Sequence, residues 1–155
     1  MVRHGPAGNP EANAVLDRER PLSTKGKRQT KRAMRGIAVA CPDLACIVTS
    51  PLVRAAQTAE LLKKQFKNAE LRVDDRLAPD GDWRGLVDEL ANSGQAVAVV
   101  GHDPQLSTLV ASLCSNGRNS SFVALAKGGA AGLTRGDHGW TLDWLATREQ
   151  LEQMK

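Results

Sequence analysis

The sequence predicts a three-layer α/β/α sandwich with a mostly parallel central sheet. Two short runs of apolar and β-branched residues, 46–49 and 96–100, are typical of buried strands. Longer stretches with apolar residues at helical spacing alternate with the strands along the chain. The chain has 155 residues, which favours a single domain over residues 1–155.

The composition is that of a globular protein, with 41% hydrophobic and 25% charged residues. A net charge of +4 suits anionic ligands, but the excess is too small to predict a nucleic-acid partner. The three cysteines are odd in number and form no metal-ligand pattern, which favours a reduced, cytoplasmic interior. Because no apolar run approaches membrane length, we expect no membrane partner. The sequence predicts neither a metal ion nor another cofactor.

The chain begins with an Arg-His-Gly triplet, Arg3 to Gly5, at the expected end of a first strand. Only Met1 and Val2 precede Arg3, so either this strand is unusually short or natural residues are missing upstream. Residues 5–22 are rich in Gly and Pro and are predicted to form a long loop.

A helix is predicted over 24–40, with Ser23 or Thr24 as its N-cap. Apolar residues fall on one face of this helix, and six Lys and Arg side chains fall on the other. The basic face is interpreted either as a solvated surface or as a surface that attracts acidic partners to the site.

The strand over 46–49 is followed by Ser50, a candidate N-cap, and by Pro51 in the first turn of a helix that continues to about residue 65. Arg54 therefore lies near the positive end of this helix, where a cation is unfavourable. An anion close by would reverse that penalty.

Further elements follow from the same patterns. A strand is predicted over 70–73 and is followed by an acidic loop, which is either a solvated turn or the location of a general acid. The strand over 96–100 is fully apolar and is expected to be central, with His102 in the turn after it. The remaining predicted elements are helices over about 83–92, 106–114 and 147–154, and strands over 121–126, 130–134 and 140–145.

These elements bring Arg3, His4, Arg54 and His102 to the carboxyl edge of the sheet, where open α/β sheets bind ligands. Arginine forks match phosphate oxygens, and a neutral imidazole is a nucleophile that forms a phosphohistidine. The two guanidinium groups lower the pKa of His4, and a backbone carbonyl is expected to hold its second ring nitrogen. His102 is a further donor, and the neighbouring Gly5 and Ser50 are predicted to contact the substrate. We expect a phosphate or sulfate anion to bind here.

With those residues in place, the chain resembles the histidine phosphatase superfamily, which has the phosphoglycerate-mutase-like fold. Within that superfamily it is most similar to the SixA-type phosphohistidine phosphatases. The resembling segments are 3–7, 20–23 with Gly26, 50–58, 77–82 and 101–104.

The resemblance implies that His4 is the phosphorylated nucleophile and that Arg3, Arg54 and His102 complete the phosphate pocket. In many relatives an acidic residue after the third strand protonates the leaving oxygen; the matching loop here offers Asp80, our first choice, or Asp82. SixA-type members depend less on such an acid, because imidazole leaves more readily than an alkoxide. The short chain also implies an open site that admits a protein side chain.

The predicted function is therefore a metal-independent phosphatase whose partner is a phosphohistidine protein. Two alternatives stay open: a phosphatase of small phosphoesters with the same fold, and a non-catalytic module that binds phosphate or polyanions.

Overall fold

The computed structural model describes residues 1–9, 16–115 and 122–155. Within these ranges six strands form one sheet with the order β3-β2-β4-β1-β5-β6. The strands are β1 (Val2–Arg3), β2 (Cys46–Thr49), β3 (Glu70–Val73), β4 (Val97–Gly101), β5 (Ala130–Gly136) and β6 (Gly139–Ala146).

The first four strands are parallel to one another, and the last two form an antiparallel hairpin beside β1. This arrangement confirms the mostly parallel sheet. The apolar strand β4 lies between β2 and β1, so the prediction that it is central is also confirmed. Val99 and Val100 in β4 are 4% and 0% exposed, which explains why this strand carries no polar side chain.

In the described part of the chain, five helices cover the two faces of the sheet, as the three-layer prediction requires. They are α1 (Thr24–Ala40), α2 (Val53–Lys63), α3 (Trp83–Ala91), α4 (Gln105–Cys114) and α5 (Arg148–Gln153). On one face α1, α2 and α5 bury a cluster that includes Met34, Leu62 and Leu151. On the other face α3 and α4 bury Leu86 and Val110 in a second cluster.

The N-terminus of α1 follows from local chemistry. Ser23 is its N-cap, and the Ser23 hydroxyl accepts a hydrogen bond from the Gly26 N–H at 2.9 Å. Because that N–H has no partner within the helix, the cap stabilises the start of α1 at the predicted residue.

The prediction that Ser50 caps α2 is wrong. The N-cap is Leu52, which makes no side-chain capping bond, and Ser50 directly follows the end of β2. Its hydroxyl contacts His102 Nε2 at 2.8 Å and accepts a hydrogen bond from the Leu52 N–H. A tertiary partner thus takes the hydroxyl that a cap would have used. Arg54 nevertheless lies in the first turn of α2, as predicted.

The predicted strand over 121–126 is also wrong for residues 122–126, which form no strand; residue 121 lies outside the described residues. Val123 and Leu125 are buried there, which explains the strand-like apolar alternation. The Leu125 N–H donates to Ser107 Oγ and its carbonyl accepts from Arg3, so its backbone is paired with side chains rather than with a strand.

Smaller differences concern the ends of elements and the loop over 5–22. Within the described part of that loop, residues 17–19 form a short 3-10 helix, and Ala7 pairs with Leu22 in an isolated bridge. No helix of the described residues is long and apolar enough to cross a membrane.

Candidate active site

The register of the parallel strands aligns their carboxyl ends. Arg3 in β1 pairs with Gly101 in β4. The next residue, His4, donates its N–H to the Gly101 carbonyl at 3.0 Å, and Ser50 donates its N–H to the Val100 carbonyl at 3.0 Å. The side chains that follow β1, β2 and β4 therefore meet at one edge of the sheet, where the sequence predicted a site.

The His4 ring is held at both nitrogens. Nδ1 lies 2.7 Å from the Gly5 carbonyl oxygen, and Nε2 accepts a hydrogen bond from Arg54 Nε at 3.3 Å. Because a carbonyl only accepts, the proton of the neutral ring belongs on Nδ1, which leaves a lone pair on Nε2. Gly5 thus supplies the backbone acceptor that we expected.

The pKa of His4 is lowered to about 4. Burial is the largest cause, and the charges of Arg54, Arg3 and Lys127 lower the pKa further, whereas the bond to the Gly5 carbonyl raises it. The sequence-based prediction had the direction right but named only the arginines. His4 is therefore neutral at pH 7 mainly because its charged form loses water on burial.

His102 lies beside His4, with 5.1 Å between the ring centroids. Its Nε2 contacts Ser50 Oγ, whereas Nδ1 is buried and has no hydrogen-bond partner among the described residues. Burial, followed by the charges of His4 and Arg54, lowers the pKa of His102 to about 3. A buried nitrogen without a partner is costly, so Nδ1 is available to a ligand oxygen.

The two predicted arginines make different contacts. Arg3 donates to the Leu125 carbonyl at 2.6 Å and lies 3.6 Å from the Asp103 carboxylate. Arg54 donates from Nε to His4, from one terminal nitrogen to the Asp17 carbonyl at 2.7 Å, and from the other to the Asp17 carboxylate at 3.0 Å. Asp17 thus places a carboxylate beside Arg54, which offsets the penalty for a cation at the positive end of α2.

Asp17 and Arg20 were missed as site residues by the sequence analysis. The Asp17 carboxylate also accepts a hydrogen bond from Arg20 at 2.7 Å. Burial alone would raise the pKa of Asp17, but the guanidinium groups of Arg54 and Arg20 hold it below its usual value. The spacing of an acid three residues before Arg20 was a signal that could have pointed to this pair.

A cavity of about 430 Å³ opens at this edge of the sheet. Arg3, His4, Arg54 and His102 line it, so the structure brings together the four residues predicted to hold phosphate. Arg20 and Lys127 line it as well, which makes four cations against a single lining carboxylate, Asp103. The arrangement favours a small anion with several oxygens.

A second cavity, of about 190 Å³, is lined mainly by apolar side chains such as Leu90, Trp140 and Trp144. No Lys, Arg or His lines it, so it offers no cationic side chain for a phosphate. Among the described residues, no three His, Cys, Asp or Glu side chains come together in a way that could hold a metal ion.

The other predicted site residues lie near the cavity but not in it. Asp80 is exposed and is absent from the cavity lining, although its neighbour Pro79 lines it. Asp82 caps α3 by accepting a hydrogen bond from the Gly85 N–H.

Gly5 donates its N–H to Thr58 Oγ1 at 3.0 Å, so that N–H already has a partner. A Cβ on Gly5 would collide with Thr30 Oγ1, which explains why glycine follows the histidine. Ser50 is fully buried and contacts the site through His102.

Comparison with known proteins agrees with this geometry. Residues 1–96 match the model of the histidine phosphatase superfamily (branch 1). The phosphohistidine phosphatase SixA of Escherichia coli strain K12 is 31% identical over 132 residues, which cover 81% of this chain and 80% of SixA.

Two solved structures are similar over nearly the whole chain. The protein histidine phosphatase SixA complexed with tungstate superposes with a TM-score of 0.79 at 29% identity, covering 97% of this chain and 96% of that chain. A mycobacterial glucosyl-3-phosphoglycerate phosphatase complexed with VO3 shares the fold, with a TM-score of 0.74 at 20% identity over 95% of this chain and 97% of that one.

The chain therefore belongs to the histidine phosphatase superfamily and has the phosphoglycerate-mutase-like fold. Membership implies phosphatase activity.

Proposed function

We propose that this member of the histidine phosphatase superfamily hydrolyses protein phosphohistidine, with His4 as the nucleophile. The observation that carries the proposal is the state of His4: a buried, neutral ring with the lone pair of Nε2 beside Arg54, in a cavity lined by four cations. The proposed domain comprises residues 1–155, because the β5–β6 hairpin completes the sheet that holds the site.

The first proposed step is an in-line attack. His4 Nε2 forms a bond to phosphorus while the bond from phosphorus to the substrate imidazole breaks, and the leaving imidazole nitrogen takes a proton from water. In the second step a water oxygen attacks phosphorus, and its proton passes to the solvent. The bond to His4 then breaks, which releases inorganic phosphate and restores the neutral ring.

The charges in the cavity suit both steps. Arg3 and Arg54 stabilise the non-bridging oxygens as negative charge builds on them, and His102 Nδ1 donates a hydrogen bond to a third oxygen. Such preorganised donors contribute more in a buried site than in water. Because these side chains supply the positive charge, the proposed chemistry needs no metal ion, and we expect activity to survive EDTA.

The choice of phosphohistidine over phosphoesters depends on the leaving group. An alkoxide needs a proton donor, yet Asp80 is exposed outside the cavity lining, and Asp103 accepts hydrogen bonds from the Ser107 hydroxyl and N–H. Imidazole leaves without such help. The 31% identity to SixA of Escherichia coli supports the same substrate class.

A phosphatase of small phosphoesters is the second candidate. A cavity of about 430 Å³ has room for a small sugar phosphate, and a phosphatase named for such a substrate shares the fold. A third possibility, a module that binds phosphate without turnover, needs the same cations but no reaction at His4.

The test compares substrates and looks for the intermediate. Phosphate release would be timed with a phosphohistidine-bearing protein, with sugar phosphates and with p-nitrophenyl phosphate, and the enzyme would be quenched to detect phosphate bound to His4. We expect the phosphohistidine protein to turn over fastest and His4 to be labelled. Faster turnover of the small esters would favour the second candidate, and tight phosphate binding with neither label nor turnover would favour the binding module.

A further inference from the structure

The outward face of α1 is strongly basic. We call it the basic face, and it consists of Lys25, Lys27, Arg28, Lys31, Arg32 and Arg35, all of which are exposed. At 100° per residue these side chains fall within an arc of about 160°. Residues 24–40 contain no Asp or Glu, so no acidic side chain of α1 itself interrupts the face.

Little of this charge is neutralised within the protein. Arg32 pairs with Glu152 of α5 at 2.9 Å, and the other five side chains have no ion pair among the residues that the structure describes. Lys25 also lies in the first turn, where the helix dipole disfavours a cation. Five of the six cations thus lack an ion-pair partner among the described residues, which leaves their charge available to an external partner.

The basic face begins next to the cavity. The Ser23 N–H donates to the Pro6 carbonyl at 3.1 Å, and Gly26 packs so closely on Pro6 that a Cβ would collide with its carbonyl. The first turn of α1 is therefore pressed against the loop that follows His4. Arg20, just before the helix, lines the cavity itself. Positive charge thus continues from the cavity onto the helix.

We propose that the basic face docks an acidic surface of the phosphorylated protein while the phosphohistidine enters the cavity. This inference rests on the proposed function and adds the chemistry of the partner. Complementary charge would speed the encounter and set the orientation in which the phosphohistidine approaches His4.

Two other partners fit the face less well. Single-stranded nucleic acid needs aromatic side chains for base stacking, and residues 24–40 contain none. A membrane surface needs several exposed apolar side chains between the cations, whereas Val39 is the one large apolar side chain of α1 that is exposed, and Met34 and Ile37 are buried.

The experiment uses two probes that contain the same reacting bond, the bond between phosphorus and an imidazole nitrogen. One is a strongly acidic carrier protein phosphorylated on histidine, and the other is free phosphohistidine. The variant is Lys25→Glu/Arg28→Glu, which places an acid in the first turn of α1 and so spares the helix. The matched control is Lys64→Glu/Lys67→Glu, which changes the net charge equally near the C-terminal end of α2, at the opposite edge of the sheet.

At low ionic strength we expect the α1 variant to lower kcat/KM for the carrier protein by on the order of tenfold. Its kcat/KM for free phosphohistidine should stay within about twofold of the wild type, the control should change little with either probe, and salt should shrink the difference.

An equal effect of the two variants on the carrier protein would overturn docking at the basic face while leaving the proposed function intact. Release of phosphate from neither probe by the wild type would overturn the proposed function and the docking with it. Stronger inhibition by an RNA oligonucleotide than by the unphosphorylated carrier would assign the face to nucleic acid instead.

Discussion

The floor and the rim of the cavity are built in different ways. The floor consists of Arg3, His4, Arg54 and His102. Arg3 ends a strand, His4 and His102 directly follow strands, and Arg54 lies in the first turn of a helix. The last three residues are buried, with exposed fractions of 6% for His4, 6% for Arg54 and 4% for His102. The rim consists of Asp17, Arg20, Gln105 and Lys127. Of these, Asp17 has a side chain that is 61% exposed.

This contrast predicts that the floor carries the proposed chemistry and that the rim sets the selectivity for the anion. Backbone bonds between strands position the floor, so its geometry is a property of the fold. The rim depends on loop conformation and on exposed charges, which are screened by salt. We therefore expect changes in the floor to affect the reaction strongly, and changes at the rim to adjust which anion binds and how tightly.

The largest effect is expected from His4→Ala. Because the variant lacks the attacking nitrogen, turnover should fall on the order of 10⁴-fold or more, and the variant quenched in alkali, where phosphohistidine survives, should carry no label. Single-turnover phosphate release measures this. A variant that keeps a rate near that of the wild type would show that His4 is not the nucleophile.

Arg54→Ala should come next. It removes one preorganised donor from the phosphate oxygens, which costs about 3 kcal/mol of transition-state stabilisation, or roughly a 100-fold fall in kcat/KM. Steady-state kinetics measure the fall in kcat/KM. Lys64→Ala is the control, because Lys64 is exposed and lies at the other end of the same helix. A loss below about threefold would show that Arg54 does not stabilise the transition state.

The buried histidines also predict how stability depends on pH. Their folded pKa values, about 4 for His4 and about 3 for His102, lie below the unfolded value near 6.5, so the unfolded chain binds protons first as pH falls. Stability from the neutral rings is complete above pH 6.5 and is lost on the way down to pH 3.

The melting temperature should therefore fall between pH 6.5 and pH 4, and His4→Asn should reduce that fall because the titrating ring is gone. Calorimetry of both proteins across this range measures the difference. Parallel curves would mean that His4 titrates normally in the folded state.

At the rim, Asp17→Asn should strengthen the binding of inorganic phosphate slightly. Loss of a negative charge beside Arg54 favours an anionic ligand, but the carboxylate is mostly exposed and the ion pair is worth no more than about 1 kcal/mol. The inhibition constant for inorganic phosphate should fall by up to about fivefold, less at high salt. Weaker phosphate binding would instead mean that Asp17 chiefly positions Arg54.

Asp80→Asn should have the smallest effect. If imidazole leaves without an acid, hydrolysis of the phosphohistidine protein should change by less than about twofold. The same variant is also assayed with p-nitrophenyl phosphate, so that its effects on the two substrates can be compared. A large loss on the phosphohistidine protein would make Asp80 the proton donor and would place part of the chemistry outside the floor.

Sequence patterns predicted the floor better than the rim for a physical reason. The bounds predicted for β2 and β3 are confirmed, and so are those of α1, because runs of apolar residues and a serine cap are local signals. The parallel strands then place Arg3, His4 and His102 at the carboxyl edge of the sheet, and this placement does not depend on the conformation of the loops.

The misses all depend on contacts between distant residues. Ser50 does not cap α2 because His102, 52 positions away, takes its hydroxyl. Asp17 reaches Arg54 across 37 positions, and Lys127 comes to the cavity from a turn that no periodic pattern marks. Side-chain partners of this kind leave no trace in local spacing.

The backbone of His4, the proposed nucleophile, is hydrogen-bonded to late parts of the chain. The His4 N–H donates to the carbonyl of Gly101, and the His4 carbonyl accepts from the N–H of Gly128 at 3.0 Å. During synthesis, His4 must therefore wait for more than a hundred later residues before its backbone is held in place. Proteolytic cleavage that releases the β5–β6 hairpin should therefore abolish the proposed activity, although Arg3, His4, Arg54 and His102 all stay in the chain.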